Sequence, residues 1–541
     1  MAVKVPVQWN GRYLGNMSEK QAQLLMQLRT EKVISNLKGM LFDFPPEIIL
    51  KSLTEGKSIR TMIKEGSVDY TKYQSELRDY QTVGTAFMYL SPRSILADGC
   101  GLGKTAEVAG LINYLKYKGE INRFLMAVDN SAIGQVQSEL IRFTGLRVVS
   151  LPSDTAKLRK VIKEVDWRDV DGIVIKHSLL RNDTFSNWIA LNLDQNTGLC
   201  KLFDTFFLDE SSVIKNSNTK LYSYTKNICD ICTRVHLMNA TTFETCIMDI
   251  YNQIDMMDGN LLPKPWKIEK DFCTFTRTSY WTKRNGKAQL NFRRDRSGYK
   301  NQEAFKQSLQ LVYFGRSAKE IGKELPHIYK VYEIEPTNDM CCAIAKGFRY
   351  NEVLNCPSLI PEAKIAMDRK SVPKLDRLCE LVENEFAGSQ IMIYCFHLDA
   401  QKAIENEMRA IGRKPIVLNG SCTDEERYEY QMKFNKGEYD VIITNTKKSL
   451  NLHSGEVCIF YSTETNPSKS FQIASRIDRH VDDTLKTFVL MLYKGTDEYK
   501  FFTTTVKQRA KDARDLTIDT KTTVDYFFDA ILKQESEELT G

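Results

Sequence analysis

The sequence predicts an α/β fold with two lobes, each built on a parallel sheet, with a small N-terminal module and an insertion between the lobes. Short, almost entirely apolar segments alternate with helical patterns in two separate parts of the chain. Such segments suit parallel strands whose two faces are both covered by helices. The 541 residues provide room for about three to four domains. The 42% hydrophobic and 27% charged residues are ordinary for a globular protein.

The predicted strands form two sets separated by a stretch of different composition. They cover residues 94–97, 124–128, 172–176, 205–208 and 235–238 in the first set, and residues 390–395, 415–418, 441–444, 457–461 and 487–493 in the second. The stretch between the sets is rich in Lys, Arg and aromatic residues and fits neither lobe. We therefore predict a first lobe over residues 73–258, an insertion or linker over 259–324, and a second lobe over 325–505.

The two ends of the chain have patterns of their own. Alternating valines precede an Asn-Gly turn signal within residues 3–11, which predicts a hairpin. Helical patterns follow this hairpin, so we predict a small accessory module over residues 1–72. Residues 506–541 predict a helical tail that ends in an acidic run.

Composition excludes several classes of protein. The chain has 75 Lys and Arg against 69 Asp and Glu, and this net charge of +6 neither requires nor excludes a nucleic-acid partner. No segment approaches the roughly 18 apolar residues of a membrane helix, and the first residues lack the apolar core of a secretory signal. The 13 cysteines are scattered, as in proteins of reducing compartments. We expect a protein of the cytoplasm, in a bacterium or a virus-infected host, or of a nucleus, without a membrane partner.

The most informative segment is a glycine-rich loop that follows a predicted strand and opens a helix predicted over residues 106–116. It consists of Asp98, Gly99, Cys100, Gly101, Leu102, Gly103, Lys104 and Thr105. Glycines in such a loop let backbone N–H groups converge on phosphate oxygens. Lys104 would then reach the β- and γ-phosphates, and Thr105 would be a ligand for Mg²⁺. Asp98 stands where the motif usually has its first glycine, and a chance glycine-rich turn is the alternative.

Two adjacent carboxylates follow another predicted strand. Asp209 and Glu210 come directly after the apolar residues 205–208, at the strand end where open α/β sheets place their chemistry. We predict that Asp209 holds Mg²⁺ and that Glu210 polarises the attacking water. An acidic pair after a strand is by itself common in solvated turns. Together with the phosphate loop, however, the pair indicates hydrolysis of a nucleoside triphosphate.

These segments together resemble the superfamily 2 helicases, and in particular the Swi/Snf-like DNA translocases. The resemblance rests on residues 97–105 and 209–216 and on further segments in the family's order, over roughly residues 74 to 500. It implies two RecA-like lobes, ATP and Mg²⁺ as cofactors, and ATP-driven movement on duplex, forked or branched DNA in replication, recombination or repair. The resemblance is nearest to the fork-remodelling and annealing members.

The family's other nucleotide-binding segments have counterparts in this chain. These counterparts are Arg78, Tyr80, Gln81, Gln472, Arg476 and Arg479. The first three correspond to the segment that recognises adenine, with Gln81 as the base reader. The two C-terminal arginines belong to the last motif of the second lobe, where they would stabilise charge on the transferred γ-phosphoryl group. Without the resemblance, the same pattern would also suit the polar face of an ordinary helix.

The sequence departs from the family pattern at three places. Ser211 and Ser212 follow the acidic pair, where the family often has Ala-His. Residues 239–242 read Asn-Ala-Thr-Thr, where the Swi/Snf branch prefers Thr-Gly-Thr-Pro, and Lys447 and Lys448 replace the usual glycines. These departures suggest a divergent member, with a phage or virus as a candidate source, in which ATP and nucleic acid are coupled differently.

Contacts with DNA in such motors are mostly contacts with phosphates and are therefore independent of sequence. The candidate contact residues are Ser131, Ser178, Thr446 and Lys447. The basic and aromatic stretch 266–296 is a further candidate, because aromatic rings can stack on splayed bases while Arg and Lys neutralise phosphates. The alternative for this stretch is a solvated hairpin or helical protrusion whose aromatic residues are structural.

Two other functions and one other site stay open at this point. The first function is that of an RNA- or single-strand-dependent helicase of the same superfamily. The second is that of a non-enzymatic nucleic-acid-binding scaffold with a degenerate ATPase core, which Asp98 and the other departures suggest. Cys229 and Cys232 also have the spacing of a zinc-ligand pair, although cysteines packed in the core are the better explanation.

Overall fold

The protein is described by a computed structural model, which divides the chain into two compact units. Their main parts are Met1–Ser317 and Ala318–Arg514. The structure describes residues 4–9, 12–130, 132–240, 243, 246–259, 262–284, 287–318, 320–322, 327–335, 373–446, 450–464, 466–478, 484–494, 497–516 and 524–531.

The first unit alternates strands and helices along most of its length. Its strands are β1 (Lys4–Trp9), β2 (Arg12–Ser18), β3 (Leu41–Phe42), β4 (Gln74–Ser75), β5 (Arg93–Leu96), β6 (Phe124–Val128), β7 (Val148–Ser150), β8 (Gly172–Lys176), β9 (Thr205–Leu208), β10 (Arg234–Met238), β11 (Cys273–Arg284), β12 (Lys287–Tyr299) and β13 (Tyr313–Phe314). Its helices are α1 (Glu19–Leu37), α2 (Pro46–Glu55), α3 (Ile59–Lys64), α4 (Asp79–Leu90), α5 (Lys104–Lys118), α6 (Ile133–Thr144), α7 (Thr155–Glu164), α8 (Asp183–Ala190), α9 (Lys220–Asp230), α10 (Ile247–Met257), α11 (Pro265–Phe272) and α12 (Gln302–Leu309).

Seven of the described strands form one parallel sheet, in the order β13-β5-β10-β9-β6-β8-β7. Strands β6 and β9 are buried over their whole length, because helices cover both faces of such a sheet. The predicted α/β class and the parallel sheet are therefore confirmed. The strands predicted at residues 124–128, 172–176 and 205–208 have these same bounds in the structure.

The order of the strands decides which loops come together. Strand β10 lies between β5 and β9, and all three run in the same direction. The loops that follow β5 and β9 therefore leave the sheet at the same edge, roughly 10 Å apart at the strand ends. Open α/β sheets bind ligands at this carboxyl edge, and the two predicted catalytic segments both lie there.

The N-terminal module contains the predicted hairpin and helix. Strands β1 and β2 pair antiparallel. Val33 and Leu37 of α1 are buried in one cluster with Ala86, Leu90 and Tyr114, which belong to α4 and α5. The module therefore shares a hydrophobic core with the helices that flank the phosphate loop.

The stretch predicted as an insertion, residues 259–324, is only partly outside the first sheet. Strands β11 and β12 form a separate two-stranded sheet, but β13 pairs parallel with β5. Phe314 of β13 stacks on Phe87 of α4 with 5.1 Å between the ring centroids. This strand was not predicted from the sequence, because two residues are too few to show a periodic pattern.

The second unit has the same construction. Its strands are β14 (His327–Ile334), β15 (Ile391–Tyr394), β16 (Pro415–Leu418), β17 (Val441–Thr444), β18 (Val457–Phe460) and β19 (Lys486–Tyr493), and its helices are α13 (Pro373–Glu380), α14 (Leu398–Ala410), α15 (Asp424–Asn435), α16 (Pro467–Ala474), α17 (Asp497–Phe501) and α18 (Lys507–Leu516). The described strands form a parallel sheet in the order β14-β19-β18-β15-β17-β16. Consecutive residues such as Ile459 and Phe460 of β18 belong to two separate hydrophobic cores, one on each face of the sheet. A second parallel α/β lobe was predicted and is confirmed.

Two remaining features concern the whole chain. Within the described ranges, no helix is both long and apolar enough to cross a membrane. The predicted tail is helical over α18, while the acidic run at residues 535–538 lies outside the described residues.

Candidate nucleotide site

The phosphate loop forms the turn between β5 and α5. Gly101 and Gly103 have left-handed backbone conformations, with φ of 79° and 85°. Such conformations turn neighbouring backbone N–H groups toward one point, which is how anion-binding loops are built. Lys104 begins α5, and its ammonium group donates to the carbonyl oxygens of Asp98 and Gly99 at 2.8 and 3.3 Å.

Helix α4 holds the phosphate loop through side chains. Tyr80 Oη and Gln81 Nε2 both donate to the carbonyl oxygen of Leu102 at 3.0 Å. Gln81 Oε1 accepts from the backbone N–H of Arg78 at 3.1 Å, and Arg78 precedes the first residue of the helix. The three residues predicted to recognise adenine therefore contact the phosphate loop or one another.

Gly103 is restricted both by its own backbone and by Gln81. A β-carbon built on Gly103 would lie 2.5 Å from Gln81 Nε2. Gly119, just beyond the other end of α5, has a similar φ of 67° but no atom within 4 Å of the corresponding position. An alanine at Gly119 would therefore add backbone strain alone, whereas an alanine at Gly103 would add both backbone strain and a contact with Gln81.

The predicted carboxylates lie directly after β9. The backbone N–H of Asp209 donates to the carbonyl of Ala127 at 2.9 Å, and its carbonyl accepts from His177 Nε2 at 2.9 Å. Burial raises the pKa of Asp209, and the nearby Lys104 ammonium opposes this rise. Lys104 and Asp209 come from different loops, which follow β5 and β9 at the same edge of the sheet.

Glu210 has an unusual backbone conformation. Its φ of 49° is left-handed, and among the described residues other than glycine only Asn301 shares a positive φ. Non-glycine residues in this region cost about 1–3 kcal/mol and cluster at active sites. Glu210, the residue predicted from the sequence to polarise the attacking water, is therefore the one with the strained backbone.

Ser211 connects the carboxylate loop to α10. Its buried hydroxyl donates to Gln253 Oε1 at 2.6 Å, and Gln253 Nε2 donates to the carbonyl of Asp249 at 2.8 Å. Ser211 thus has a structural partner in this chain at a place where the family often has alanine. The bond fixes the loop that carries Glu210 to a buried helix.

Arg316, which follows β13, was missed by the sequence analysis as a residue of this site. Its guanidinium donates to Asp98 Oδ1 at 3.2 Å and to Glu107 Oε1 at 2.8 Å. The Asp98 and Glu107 side chains are completely buried, and that of Arg316 is 13% exposed. Burial, followed by the charge of Asp98, raises the pKa of Glu107 well above its ordinary value.

Arg316 also binds the backbone of the loop and of α4. Its N–H donates to Asp98 Oδ1 at 3.1 Å, and its carbonyl accepts from Gly99 N–H at 2.8 Å. Its guanidinium also donates to the carbonyl of Tyr80. Asp98 is therefore the anchor of the phosphate loop, which accounts for an aspartate where the motif usually has glycine. A single arginine after two aromatic residues gives no local signal of this role.

The other predicted residues of the first unit lie near the same edge of the sheet. Thr105 is the second residue of α5 and is half-buried. Ser178 is half-buried in the short helical turn His177–Arg181, directly after β8. Cys100 is also half-buried, within the loop itself.

In the second unit, the described residues of the predicted site lie in or directly after helix α16 and strand β17. Gln472 is part of α16, and Arg476 follows that helix with 7% of its surface exposed. Thr446 follows β17, where its N–H donates to Thr444 Oγ1 at 3.0 Å. Three predicted residues lie outside the described residues: Ser131, Lys447 and Arg479.

The donor set of the first unit suits a magnesium nucleotide. The left-handed glycines and the start of α5 supply backbone N–H groups for phosphates. Lys104 supplies a positive charge, and Thr105 and Asp209 supply the oxygen ligands that Mg²⁺ prefers. A zinc site is a poorer fit, because Cys229 and Cys232 are buried and burial raises the pKa of Cys229 to about 12. No group of three or more His, Cys, Asp or Glu within the described ranges could hold a metal ion.

Comparison with known proteins gives consistent matches. Residues 373–481 match the family model of the helicase conserved C-terminal domain. The DNA excision repair protein ERCC-6-like of Bos taurus is 26% identical over 330 residues, which are 59% of this chain and 25% of that protein. The transcription regulatory protein SNF2 of Saccharomyces cerevisiae is 22% identical over 458 residues, which are 74% of this chain and 25% of that protein.

A similar solved structure is the Sulfolobus solfataricus SWI2/SNF2 ATPase core in complex with dsDNA. It has a TM-score of 0.38 and 18% identity, with 85% of this chain and 96% of that chain covered. The chain spans between a quarter and about half of the length of the first curated relatives that it matches.

The contact between Gly103 and Gln81 predicts a specific defect. Gly103→Ala should weaken nucleotide binding and lower the free energy of unfolding, because the left-handed backbone is strained by a side chain and the added methyl group would displace the Gln81 amide from the Leu102 carbonyl. Gly119→Ala, the matched control, should cost about 1 kcal/mol of stability from backbone strain alone and leave nucleotide affinity unchanged. Titration with a fluorescent ATP analogue and denaturant unfolding measure both effects. Equal nucleotide affinities of the two variants would contradict the assigned loop geometry.

The buried ionic cluster predicts a large and partly reversible loss of stability. Arg316→Met should destabilise the first unit by about 3–5 kcal/mol, because it leaves two buried carboxylates without a positive partner. Adding Glu107→Gln should recover part of this loss, since it removes one of the two carboxylates.

Denaturant unfolding of the single and double variants measures this coupling. Arg168→Met is the matched control, because Arg168 forms an exposed pair with Asp166 and such pairs contribute little. A loss in Arg316→Met no larger than in the control, or no recovery in the double variant, would contradict the proposed anchor.

Proposed function

We propose that this chain is a member of the Swi/Snf-like branch of the superfamily 2 helicases and that it couples ATP hydrolysis to movement along duplex or branched DNA. The observation that carries the proposal is the strand order, in which β10 lies between β5 and β9 and all three strands run parallel. This order brings the phosphate loop with Lys104 and the carboxylate of Asp209 to one edge of the sheet. ATP hydrolysis needs both groups at the same phosphate.

Each residue of the first unit has a distinct role in this proposal. Lys104 and the loop backbone bind the phosphates, while Thr105 and Asp209 are the ligands for Mg²⁺. When bound, Mg²⁺ neutralises charge that develops on the transferred phosphoryl group. Glu210 accepts a proton from the attacking water, and its left-handed backbone, linked to α10 through Ser211, fixes the direction of its carboxylate. Gln81 reads the adenine base while it supports the loop.

The second unit supplies the arginines in this proposal. Arg476 and Arg479 stabilise negative charge on the γ-phosphoryl group, and Gln472 lies one helical turn before Arg476. An arginine in this role typically accelerates hydrolysis by about 10³–10⁵. In this proposal hydrolysis requires residues of both units, which couples the chemistry to a step along DNA.

The DNA part of the proposal is supported by the named relatives and by chemistry. One relative is named as a DNA excision repair protein, which favours a role in DNA repair, recombination or replication. Ser131, Ser178, Thr446 and Lys447 are proposed to contact phosphates, so binding should be independent of sequence and weaken with salt. The proposed location is the compartment that holds the DNA, which is the cytoplasm in a bacterium or a nucleus in a eukaryote.

The scaffold hypothesis is weakened by the structure around Asp98. This residue was one reason to suspect a degenerate ATPase, yet it is buried and paired with Arg316 in a way that holds the loop in shape. Lys104, Asp209 and Glu210 are all present at the same edge. An RNA- or single-strand-dependent helicase keeps the same nucleotide site, and only the nucleic-acid partner distinguishes it.

Glu210→Gln tests the proposed chemistry. The variant should bind ATP normally but hydrolyse it about 10²–10⁴-fold more slowly, because the substitution removes the base and leaves the phosphate loop intact. Glu164→Gln, at the exposed end of α7, is the matched control and should hydrolyse ATP as the wild type does. Steady-state ATPase assays and titration with a fluorescent ATP analogue separate the two effects. Normal turnover in Glu210→Gln would refute the mechanism.

The nucleic-acid partner is tested by stimulation of the wild-type ATPase. Blunt duplex, forked duplex, single-stranded DNA and single-stranded RNA are compared at the same salt and nucleotide concentrations. We expect the strongest stimulation with duplex or forked DNA, and we expect it to decline as salt rises. Stimulation by RNA alone would move the protein to another helicase branch. No hydrolysis under any condition would favour the scaffold hypothesis.

A further inference from the structure

The β11–β12 hairpin is a long two-stranded ribbon. Ten successive residue pairs, from Phe275↔Arg296 to Arg284↔Lys287, form an uninterrupted antiparallel register. At about 3.3 Å per residue, this part of the ribbon is roughly 30 Å long. Among the described strands, none pairs with either edge of the hairpin. Isolated two-stranded ribbons are only marginally stable in water, so contacts at the base must stabilise this one.

The base of the hairpin is packed firmly on the first unit. Cys273 at the start of β11 is buried. Arg296 forms an ion pair with Glu269 of α11 at 3.3 Å. Tyr299 packs against Phe243, with 6.1 Å between the ring centroids, and its hydroxyl accepts from the N–H of Ile247 at 3.3 Å. These contacts join the ribbon to the loop after β10 and to α10, the helix that also binds Ser211.

The net charge of the hairpin equals the net charge of the whole chain. Its 27 residues include seven Lys or Arg and one Asp, a net charge of +6. The chain has 75 basic and 69 acidic residues, so the rest of the chain has 68 of each and is neutral. All of the protein's excess positive charge therefore lies in this one ribbon, and such a distribution favours a polyanion as the partner.

An aromatic ring and an arginine are exposed together on this ribbon. Phe292 is 54% exposed and Leu290 is 40% exposed, although both are apolar. The guanidinium of Arg277 lies 4.0 Å from the centroid of the Phe292 ring. Arg277 is exposed as well, and so is Thr276, whose side chain points to the opposite face because neighbours alternate along a strand. Burial in the protein core therefore does not explain the ring.

We propose that the β11–β12 hairpin binds single-stranded DNA, with a base stacked on Phe292 and with Arg277 on a phosphate. The inference rests on the proposed function for the choice of DNA. An aromatic ring can stack on a base only when the face of the base is accessible, as in an unpaired strand. Branched DNA presents such strands beside the duplex, so the hairpin would contact the unpaired strand of a fork.

Substitution of the exposed ring tests the stacking step. Fluorescence anisotropy without ATP would measure binding of a labelled single-stranded DNA and of a blunt duplex of the same sequence. Phe292→Ala should weaken single-strand binding about 5- to 100-fold, the typical range for loss of one stacked base, and should change duplex binding less than twofold. Phe292→Trp should restore the affinity. Leu191→Ala, at an apolar residue that is 85% exposed elsewhere on the first unit, is the matched control and should bind as the wild type does.

The salt dependence of binding tests the charge step. Arg277→Gln should reduce the slope of log K against log salt by about 0.7 on single-stranded DNA, the value for one lost phosphate contact. Arg168→Gln, at an arginine whose side chain is 92% exposed, should leave the slope unchanged. Unaltered single-strand binding by both hairpin variants would overturn the inference.

The other outcomes distinguish this inference from the proposed function. An equal loss of duplex and single-strand affinity in Phe292→Ala would show a contact with the DNA backbone and refute base stacking. Tighter wild-type binding to single-stranded RNA of the same sequence would refute the choice of DNA. Wild-type binding to DNA that no hairpin variant weakens would overturn the inference and leave the proposed function standing. A wild type that binds no DNA would overturn both.

Discussion

The nucleotide site depends on one half-buried arginine, Arg316. Arg316 joins three parts of the first unit, because it contacts the phosphate loop at Asp98, helix α5 at Glu107 and helix α4 at Tyr80. It follows β13, which pairs with β5. Buried ion pairs of this kind are costly to desolvate and are weak evidence for stability by themselves. Here the ion pairs matter for geometry. The guanidinium of Arg316 can bind Asp98 and Glu107 together in only one arrangement, which fixes the position of the phosphate loop.

The sheet imposes a second constraint on the site. The parallel order places β10 between the strand that leads into the phosphate loop and the strand that leads to Asp209. Lys104 and Asp209 therefore come to the same edge of the sheet on either side of β10, although their loops are far apart in the chain. The same strand leads to the loop that contains Phe243, which packs on Tyr299 at the base of the hairpin. One edge of the sheet thus connects the nucleotide site with the proposed DNA-binding ribbon.

Local patterns made much of this fold predictable from the sequence. The buried strands β6, β8 and β9 were predicted with their observed bounds, because a parallel strand covered on both faces is an uninterrupted apolar run. The phosphate loop and the acidic pair were also predictable, since each is a short segment with a characteristic sequence next to such a strand. Their roles in catalysis stay predictions.

Other parts of the site could not be predicted because they depend on distant pairs. Asp98 and Arg316 are 218 residues apart in the chain, and neither residue shows by itself that it will be buried. Strand β13 has only two residues and takes its identity from pairing with β5. For residues 266–296 the sequence left both a hairpin and a helical protrusion open. The two segments that flank the turn lack the alternation of apolar and polar residues that marks a strand with one buried face. A ribbon with both faces in solvent has no reason to show that alternation.

The charge distribution then restricts how a polyanion can be bound. With the ribbon set aside, the chain is neutral, and at physiological ionic strength charges act over only about 8 Å. At this range local charge matters most, and the ribbon concentrates a net charge of +6 within 27 residues. A motor that moves along DNA needs contacts that are independent of sequence, and both phosphate contacts and base stacking meet that need. Tyr299 at the base of the ribbon binds Ile247 of α10, and Gln253 of the same helix binds Ser211 beside Glu210, so the ribbon and the loop of Glu210 share one supporting helix.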